Sequence, residues 1–278
     1  EEVANQFPKS VNISDSYETI DGFLSNKSIR SLPILNDKRE VKKIVTCQNP
    51  SIAIGSKNIN EFEEPFLIGE IGVNHNGDLK EAKYLIREAS KAGCDAIKFQ
   101  YRSTQLYFKN DINKYDLGTQ YILSEIDKTR MSIMEIEECC KLAKDLNLEI
   151  ILTPFDEIAL NEIFDSEIIL SAIKIASCDL TNASLIKAAA NLEIPLIVST
   201  GMSYEREILS TSIQLRNLFV DHAFLHCNST YPSPIEDSNL KYISRLKDIT
   251  KTIVGYSSHE GDMTIPLCSI SHGAQIVE

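Results

Sequence analysis

The chain has 278 residues, a formal net charge of −12, and 43% hydrophobic against 24% charged residues. That is the balance of a globular enzyme with room for one large domain and an appendage, or for two domains. The acidic excess argues against a general grip on nucleic-acid phosphates, and no run of about 18 apolar residues is present to span a membrane.

The first ten residues, "EEVANQFPKS", are acidic and polar, carry no starting Met and do not resemble a signal peptide, so a longer parent chain is expected. Next, "SDSYETIDGFLSNKSIRSLPILNDKREVKKIVT" predicts a capped helix, then two strands joined by a turn at Asn36 and Asp37. Its "IRSLPILNDKREVKKIVT" resembles the second half of a CBS motif. Such motifs pair to bind adenosine nucleotides, so residues 1–48, as a lone half, are read as packing and turn residues rather than ligand contacts. "SIAIGSKNINEFEEP" predicts a short hairpin within residues 49–64, placed to close the bottom of the larger domain after it.

From residue 65 the pattern changes. "PFLIGEI", "AIKFQ", "EIILTPF", "AIKIAS", "PLIVSTG", "AFLHCNS", "TIVGYSS" and "AQIVE" are short, near-continuous apolar runs of the kind found in parallel strands buried on both faces. Helical segments separate them, the clearest being "LKEAKYLIREASKAG", with Ala82, Leu85, Ile86 and Ala89 on one stripe and Gly93 at its end. Asp78 is the expected N-cap of that helix, while His75 in the preceding "NHNG" could line a site or brace the turn. Eight such strands in roughly 210 residues predict an α/β fold of the (β/α)8 barrel type. A doubly wound sheet would want a G-x-G-x-x-G turn after its first strand, which "GEIGVNHNG" lacks. With the eighth strand ending at Glu278, residues 65–278 are expected to be a barrel lacking its last helix. The polar "YRSTQLYFKNDINKYDLGTQ" after the second strand reads equally as a lid or a solvated connection.

Seven cysteines, an odd number without a C-x-x-C pair, argue against structural zinc or a disulfide framework and point to a reducing compartment, the cytoplasm.

In barrels of this kind the reactive groups stand at the C-terminal ends of the strands. Here those ends carry Glu70; Lys98 and Gln100; Thr153; Lys174 and Ser177; Ser199; His226 and Ser229; Ser257 and His259; and Glu278. Lys98 and Lys174 are the most telling. The period of two turns Lys98 and Gln100 one way, and Ile97 and Phe99 toward the helices. A buried ammonium is costly unless paired, and two at one mouth make a receptor for phosphate or carboxylate. Each could instead pair with a carboxylate such as Glu70 for purely structural reasons. His259 is a candidate metal ligand, and His226, within "FLHCNS", reads as a core or supporting histidine. The residues alone thus predict a barrel enzyme acting on a phosphorylated or carboxylated metabolite.

"FLIGEIGVNHNGDLKEAKYLIREASKAGCDAIKFQ", "ILTPFD", "IKIASCDLTNASLIKAAA", "PLIVSTGM", "LHCNSTYPSPIEDSNL" and "VGYSSHEGD", in unbroken order over roughly residues 52 to 278, resemble the N-acetylneuraminate synthase family. The resemblance implies condensation of phosphoenolpyruvate with an N-acetylmannosamine-type sugar to give a nine-carbon sugar acid and phosphate. It also implies a divalent metal, manganese or magnesium, and a homodimer of the full-length protein. It makes Lys98, Thr153, Lys174, Ser177, Ser199 and Ser257 binders of phosphoenolpyruvate. Gln100, Ser229 and Tyr231 would help to hold the substrates, Glu70 and Glu278 would be the active-site acids, and His259 one of two histidine metal ligands. The second histidine and a C-terminal antifreeze-like domain would lie past Glu278. Ser258 stands where the family often has Asp. Two other readings stay open: a phosphoenolpyruvate-dependent barrel synthase acting on a sugar phosphate, and a degenerate ligand-binding regulator.

Overall fold

The structure, a computed structural model, describes residues 9–24, 31–46, 50–103 and 127–278. Most of the long loop after the second barrel strand, and with it the choice between lid and connection, lies outside the described residues.

The chain divides into two compact units, one ending at Pro50 and the other spanning Ser51–Glu278. In the first, β1 (Val11–Asn12) runs parallel to β2 (Ser31–Leu35), which pairs antiparallel with β3 (Val41–Thr46). Helix α1 (Tyr17–Leu24) lies between β1 and β2 in the chain. The β2–β3 turn is built by Asn36, whose side-chain oxygen accepts from the amides of Lys38 and Glu40 at 3.1 and 2.9 Å. An Asx turn of this kind supplies locally the bonds that the open strand ends lack.

The second unit opens with an antiparallel hairpin of β4 (Ser51–Ile54) and β5 (Lys57–Asn60). Its turn needs glycine, because Gly55 has φ +55° and a Cβ there would collide with the Glu149 carboxylate. That carboxylate accepts from the Ser56 amide and hydroxyl, both at 2.8 Å, and from Ser171 Oγ at 2.6 Å.

Eight parallel strands then close into a barrel in chain order: β6 (Phe66–Glu70), β7 (Ala96–Tyr101), β8 (Glu149–Pro154), β9 (Ala172–Ile175), β10 (Leu196–Ser199), β11 (His222–Cys227), β12 (Ile253–Ser257) and β13 (Ile276–Val277). The last pairs back onto the first, with Ile276 opposite Phe66. Helices α2 (Leu79–Lys91), α3 (Ile133–Asp145), α4 (Glu157–Phe164), α5 (Ala183–Ala190), α6 (Glu205–Asn217), α7 (Lys241–Thr250) and α8 (Thr264–Ser271) follow the strands. Several start on side-chain caps. Asp78 accepts from the Lys80 and Glu81 amides, Asp156 from Ala159 and Asn182 from Leu185, and Ser132 with Glu135 forms a capping box.

Strand alternation sorts the apolar residues into shell and interior. Ile97, Phe99, Ile150 and Leu152 face outward onto Ala82, Ile86, Ile136 and Cys139 of the helices. Ile173, Val198, Phe224 and Val254 do the same against Leu185, Ile186, Ile208 and Leu246. Each fully buried Ile, Leu or Phe contributes about 1.5–3 kcal/mol. Phe66, Ile68, Ile151, Ile197, Leu225, Ile253 and Ile276 point inward and meet Ile52, Ile54 and Ile59 of the hairpin. The lower barrel is therefore a filled apolar plug, which leaves the upper end for polar groups.

Candidate active site

Continuing the same alternation one step upward, each strand changes from apolar to polar. The inward positions at the strand ends are Glu70, Lys98, Thr153, Lys174, Ser199, Cys227, Ser257 and Glu278, which immediately follows β13. Lys98, Thr153, Lys174, Ser199 and Ser257 are all buried. Ammonium groups held this far from water persist only when their charge is answered.

Two carboxylates answer it. Lys98 Nζ pairs with Glu70 Oε2 and lies 3.1 Å from Glu278 Oε1, with Thr153 Oγ1 at 3.5 Å. Lys174 Nζ lies 3.2 Å from Glu278 Oε2 and donates to Ser199 Oγ at 2.7 Å. Glu278 thus bridges both lysines with a side chain only 6% exposed. Burial opposes its ionisation, but the Lys174 and Lys98 ammoniums outweigh that and pull its carboxyl down to about 2. Glu70 goes the other way: burial, reinforced by the Glu278 charge, raises it above the ordinary 4.5 against the pull of Lys98. For Lys98, burial is overcome by Glu70 and Glu278 and the ammonium is held above its usual range. Glu70 Oε1 is buried without a hydrogen-bond partner among the described residues.

The remaining predicted residues flank this network. Gln100 follows Lys98 on the inward face of β7 and is half-buried. Ser177 Oγ accepts from the Gly201 amide at 3.1 Å, and a Cβ on Gly201 would collide with Ser229 Oγ. Ser177, Gly201 and Ser229 therefore approach closely on one side of the mouth. Ser257 lies beside Cys227 in the ladder. The Tyr231 ring, largely exposed, lies 3.9 Å from the His259 ring between centroids.

His259 Nδ1 lies 2.5 Å from the Asn228 carbonyl and 3.9 Å from Cys227 Sγ. With Nδ1 donating to Asn228, the other ring nitrogen, Nε2, carries the lone pair, the tautomer that suits a metal ligand. Glu260 fixes this segment: it accepts from Tyr256 OH at 2.5 Å, Ser258 Oγ at 2.7 Å and the His259 amide at 3.2 Å. Among the described residues, however, no group of three or more His, Cys, Asp or Glu side chains converges as a metal-ligand set. One imidazole does not make a metal centre, so the donors present do not fit a bound metal by themselves.

Two assignments sharpen. His226 faces the helices, its Nε2 2.8 Å from the Ser238 carbonyl and its ring between Tyr242 and Tyr256. The inward residue of β11 is its neighbour Cys227, which the period of two through Ala223 and Leu225 could have identified. His75 braces the loop after β6: it is 2% exposed and its Nδ1 accepts from the Gly77 amide at 3.0 Å.

A sequence profile of the NeuB family matches residues 85–278. The chain is 37% identical over 228 residues to an uncharacterised protein of Methanocaldococcus jannaschii, covering 82% of this chain and 65% of that one. It is 33% identical over 232 residues to the N,N'-diacetyllegionaminic acid synthase of Legionella pneumophila, covering 77% of this chain and 62% of the relative. The chain therefore spans just under two thirds of the length of these two curated relatives. Among solved structures, the N-acetylneuraminic acid synthetase of Leptospira borgpetersenii superposes with a TM-score of 0.75 at 31% identity, over 83% of this chain and 77% of that one.

Proposed function

Because the chain belongs to the NeuB family, we propose that it is the barrel of a sialic-acid-type synthase. The reaction joins phosphoenolpyruvate to an N-acetylmannosamine-type sugar and releases a nine-carbon 2-keto sugar acid and phosphate. The observation that carries this reading is the bridging of Lys98 and Lys174 by Glu278 at 3.1 and 3.2 Å. It supports a receptor in which an anionic substrate exchanges places with a carboxylate around two preformed ammoniums. The hydroxyls of Thr153, Ser177, Ser199 and Ser257 would complete the cradle, with Gln100, Ser229 and Tyr231 on the acceptor sugar.

The opposite displacements of Glu70 and Glu278 divide their roles, as they do wherever neighbouring environments push two carboxyls apart. Glu278, drawn down to about 2, stays ionised and stabilises positive charge developing at C2 of phosphoenolpyruvate. Glu70, raised, is the group that moves a proton. As C3 bonds to the aldehyde carbon, Glu70 gives its proton to the aldehyde oxygen. Its carboxylate then takes one from the water that adds at C2. The C2–O bond to phosphate then breaks, phosphate leaves with the electron pair, and the C2 hydroxyl passes its proton to the departing phosphate to form the ketone. General acid–base assistance of this kind is worth about 10²–10⁴-fold.

A divalent cation, manganese or magnesium, belongs to this proposal only through His259, and no step above passes through it. A homodimer of the full-length protein in the cytoplasm belongs to it as well, and the mass in solution tests the former. No helix among the described residues is long and apolar enough to cross a membrane.

The decisive experiment measures phosphate release by the full-length protein from phosphoenolpyruvate with a panel of 2-acetamido hexoses, with and without manganese, and the mass of the product. Release accompanied by a nine-carbon acid is expected. No release with any sugar of the panel rules the reading out.

A further inference from the structure

Inside the barrel both ammoniums are already engaged: Lys98 meets Glu70 and Glu278, and Lys174 meets Glu278. A phosphate monoester carries about −1.5 to −2 charge at neutral pH, more than ammoniums shared with carboxylates answer, so a further cation facing it would add to the receptor. Arg102 is placed to be that cation. It directly follows β7, and the ladder continues one step past the strand, the Phe155 amide donating to the Tyr101 carbonyl at 3.3 Å. With Tyr101 opposite Pro154, the next pair is Arg102 and Phe155. By alternation both fall on the face of Gln100 and Thr153, one layer nearer the mouth.

The Arg102 guanidinium carbon lies 3.3 Å from the Phe155 ring centroid. Stacking occupies the face of the guanidinium and leaves its N–H edge to donate, the arrangement in which arginine binds phosphate oxygens in pairs. Among the described residues no carboxylate pairs with it.

We propose that Arg102, held flat on Phe155, is a binding residue for a phosphate monoester at the β7–β8 side of the mouth. The geometry supplies an edge of paired donors for an oxyanion, and the choice of phosphate rests on the synthase reading. So does its identity as the phosphate of phosphoenolpyruvate or one carried by the acceptor sugar.

The test titrates full-length wild type, Arg102→Ala and Arg102→Lys calorimetrically with inorganic phosphate, phosphoenolpyruvate, an N-acetylhexosamine 6-phosphate and the neutral N-acetylhexosamine. Arg102→Ala is expected to weaken at least one phosphate compound about tenfold or more. Arg102→Lys should restore less than half of the loss in binding free energy, and the neutral sugar should bind as before. Loss confined to phosphoenolpyruvate assigns Arg102 to that phosphate, and loss confined to the sugar phosphate assigns it to the acceptor. Arginine-dependent binding of inorganic phosphate without binding of phosphoenolpyruvate keeps the site and removes the synthase reading. Undiminished phosphoenolpyruvate and sugar-phosphate binding in Arg102→Ala overturns the proposal and leaves the synthase reading intact. Binding of no phosphate compound by wild type overturns both.

Discussion

Glu278 Oε1 lies 3.1 Å from Lys98 Nζ, although one residue follows the eighth barrel strand and the other sits in the second. The same carboxylate reaches Lys174 with its other oxygen. Glu278 is therefore an internal counterion to both lysines, and its removal should act separately on stability, binding and turnover.

Stability should carry the signature of Glu278 in acid. Its carboxyl is lowered from the ordinary 4.5 to about 2, so its contribution is present above 4.5 and is lost as pH falls from there through 2. The shift corresponds to about 3 kcal/mol. Urea unfolding of wild type and Glu278→Gln should differ by that order at pH 6, and the difference should shrink at pH 3. A gap that stays constant across this range contradicts the assignment.

Lys98→Ala removes one ammonium from the receptor and leaves Glu70 and Glu278 facing each other. A charge-assisted bond is worth about 1.5–3 kcal/mol, so phosphoenolpyruvate affinity should drop roughly 10- to 100-fold by calorimetry. Unchanged affinity sinks the role of Lys98. Lys98→Met, which keeps much of the buried packing, separates loss of charge from loss of fold.

If Glu70 delivers the proton, kcat/KM should fall as pH rises through its raised pKa. Glu70→Gln should flatten that limb and lower kcat by about 10²–10⁴-fold with a smaller change in phosphoenolpyruvate KM. A variant that keeps the limb places the titrating group elsewhere.

At the opposite end, Gly55→Ala should destabilise the barrel by about 1–3 kcal/mol. It forces a side chain into the Glu149 carboxylate at φ +55° and disturbs that carboxylate's bonds to Ser56 of the hairpin and to Ser171. Denaturant midpoints read this directly, and the affinity for phosphoenolpyruvate should not change.

The fold was largely legible because its cues are local. Apolar runs of strand length alternating with amphipathic helices imply a covered parallel sheet, and a period of two within "DAIKFQ" separates Lys98 and Gln100 from Ile97 and Phe99. The same rule applied to "FLHCNS" turns Cys227 inward and His226 toward the helices, in keeping with its reading as a core or supporting histidine. A histidine at a strand end draws attention by its chemistry, while its direction is set by strand phase. Arg102 was hidden for another reason: its partner Phe155 is on the next strand, and only the register of β7 against β8 sets the two side by side.

By itself, then, the sequence determined the order of the elements, the parity of each strand and the identities of the polar residues at the strand ends. Those properties depend on neighbours a few residues apart. Which charges meet was decided by closure, when β13 paired with β6 and carried Glu278 between two lysines from other strands. Coulomb energy depends on separation in space, and the displacements of Glu70 and Glu278 in opposite directions exist only once the barrel has excluded water and fixed those distances.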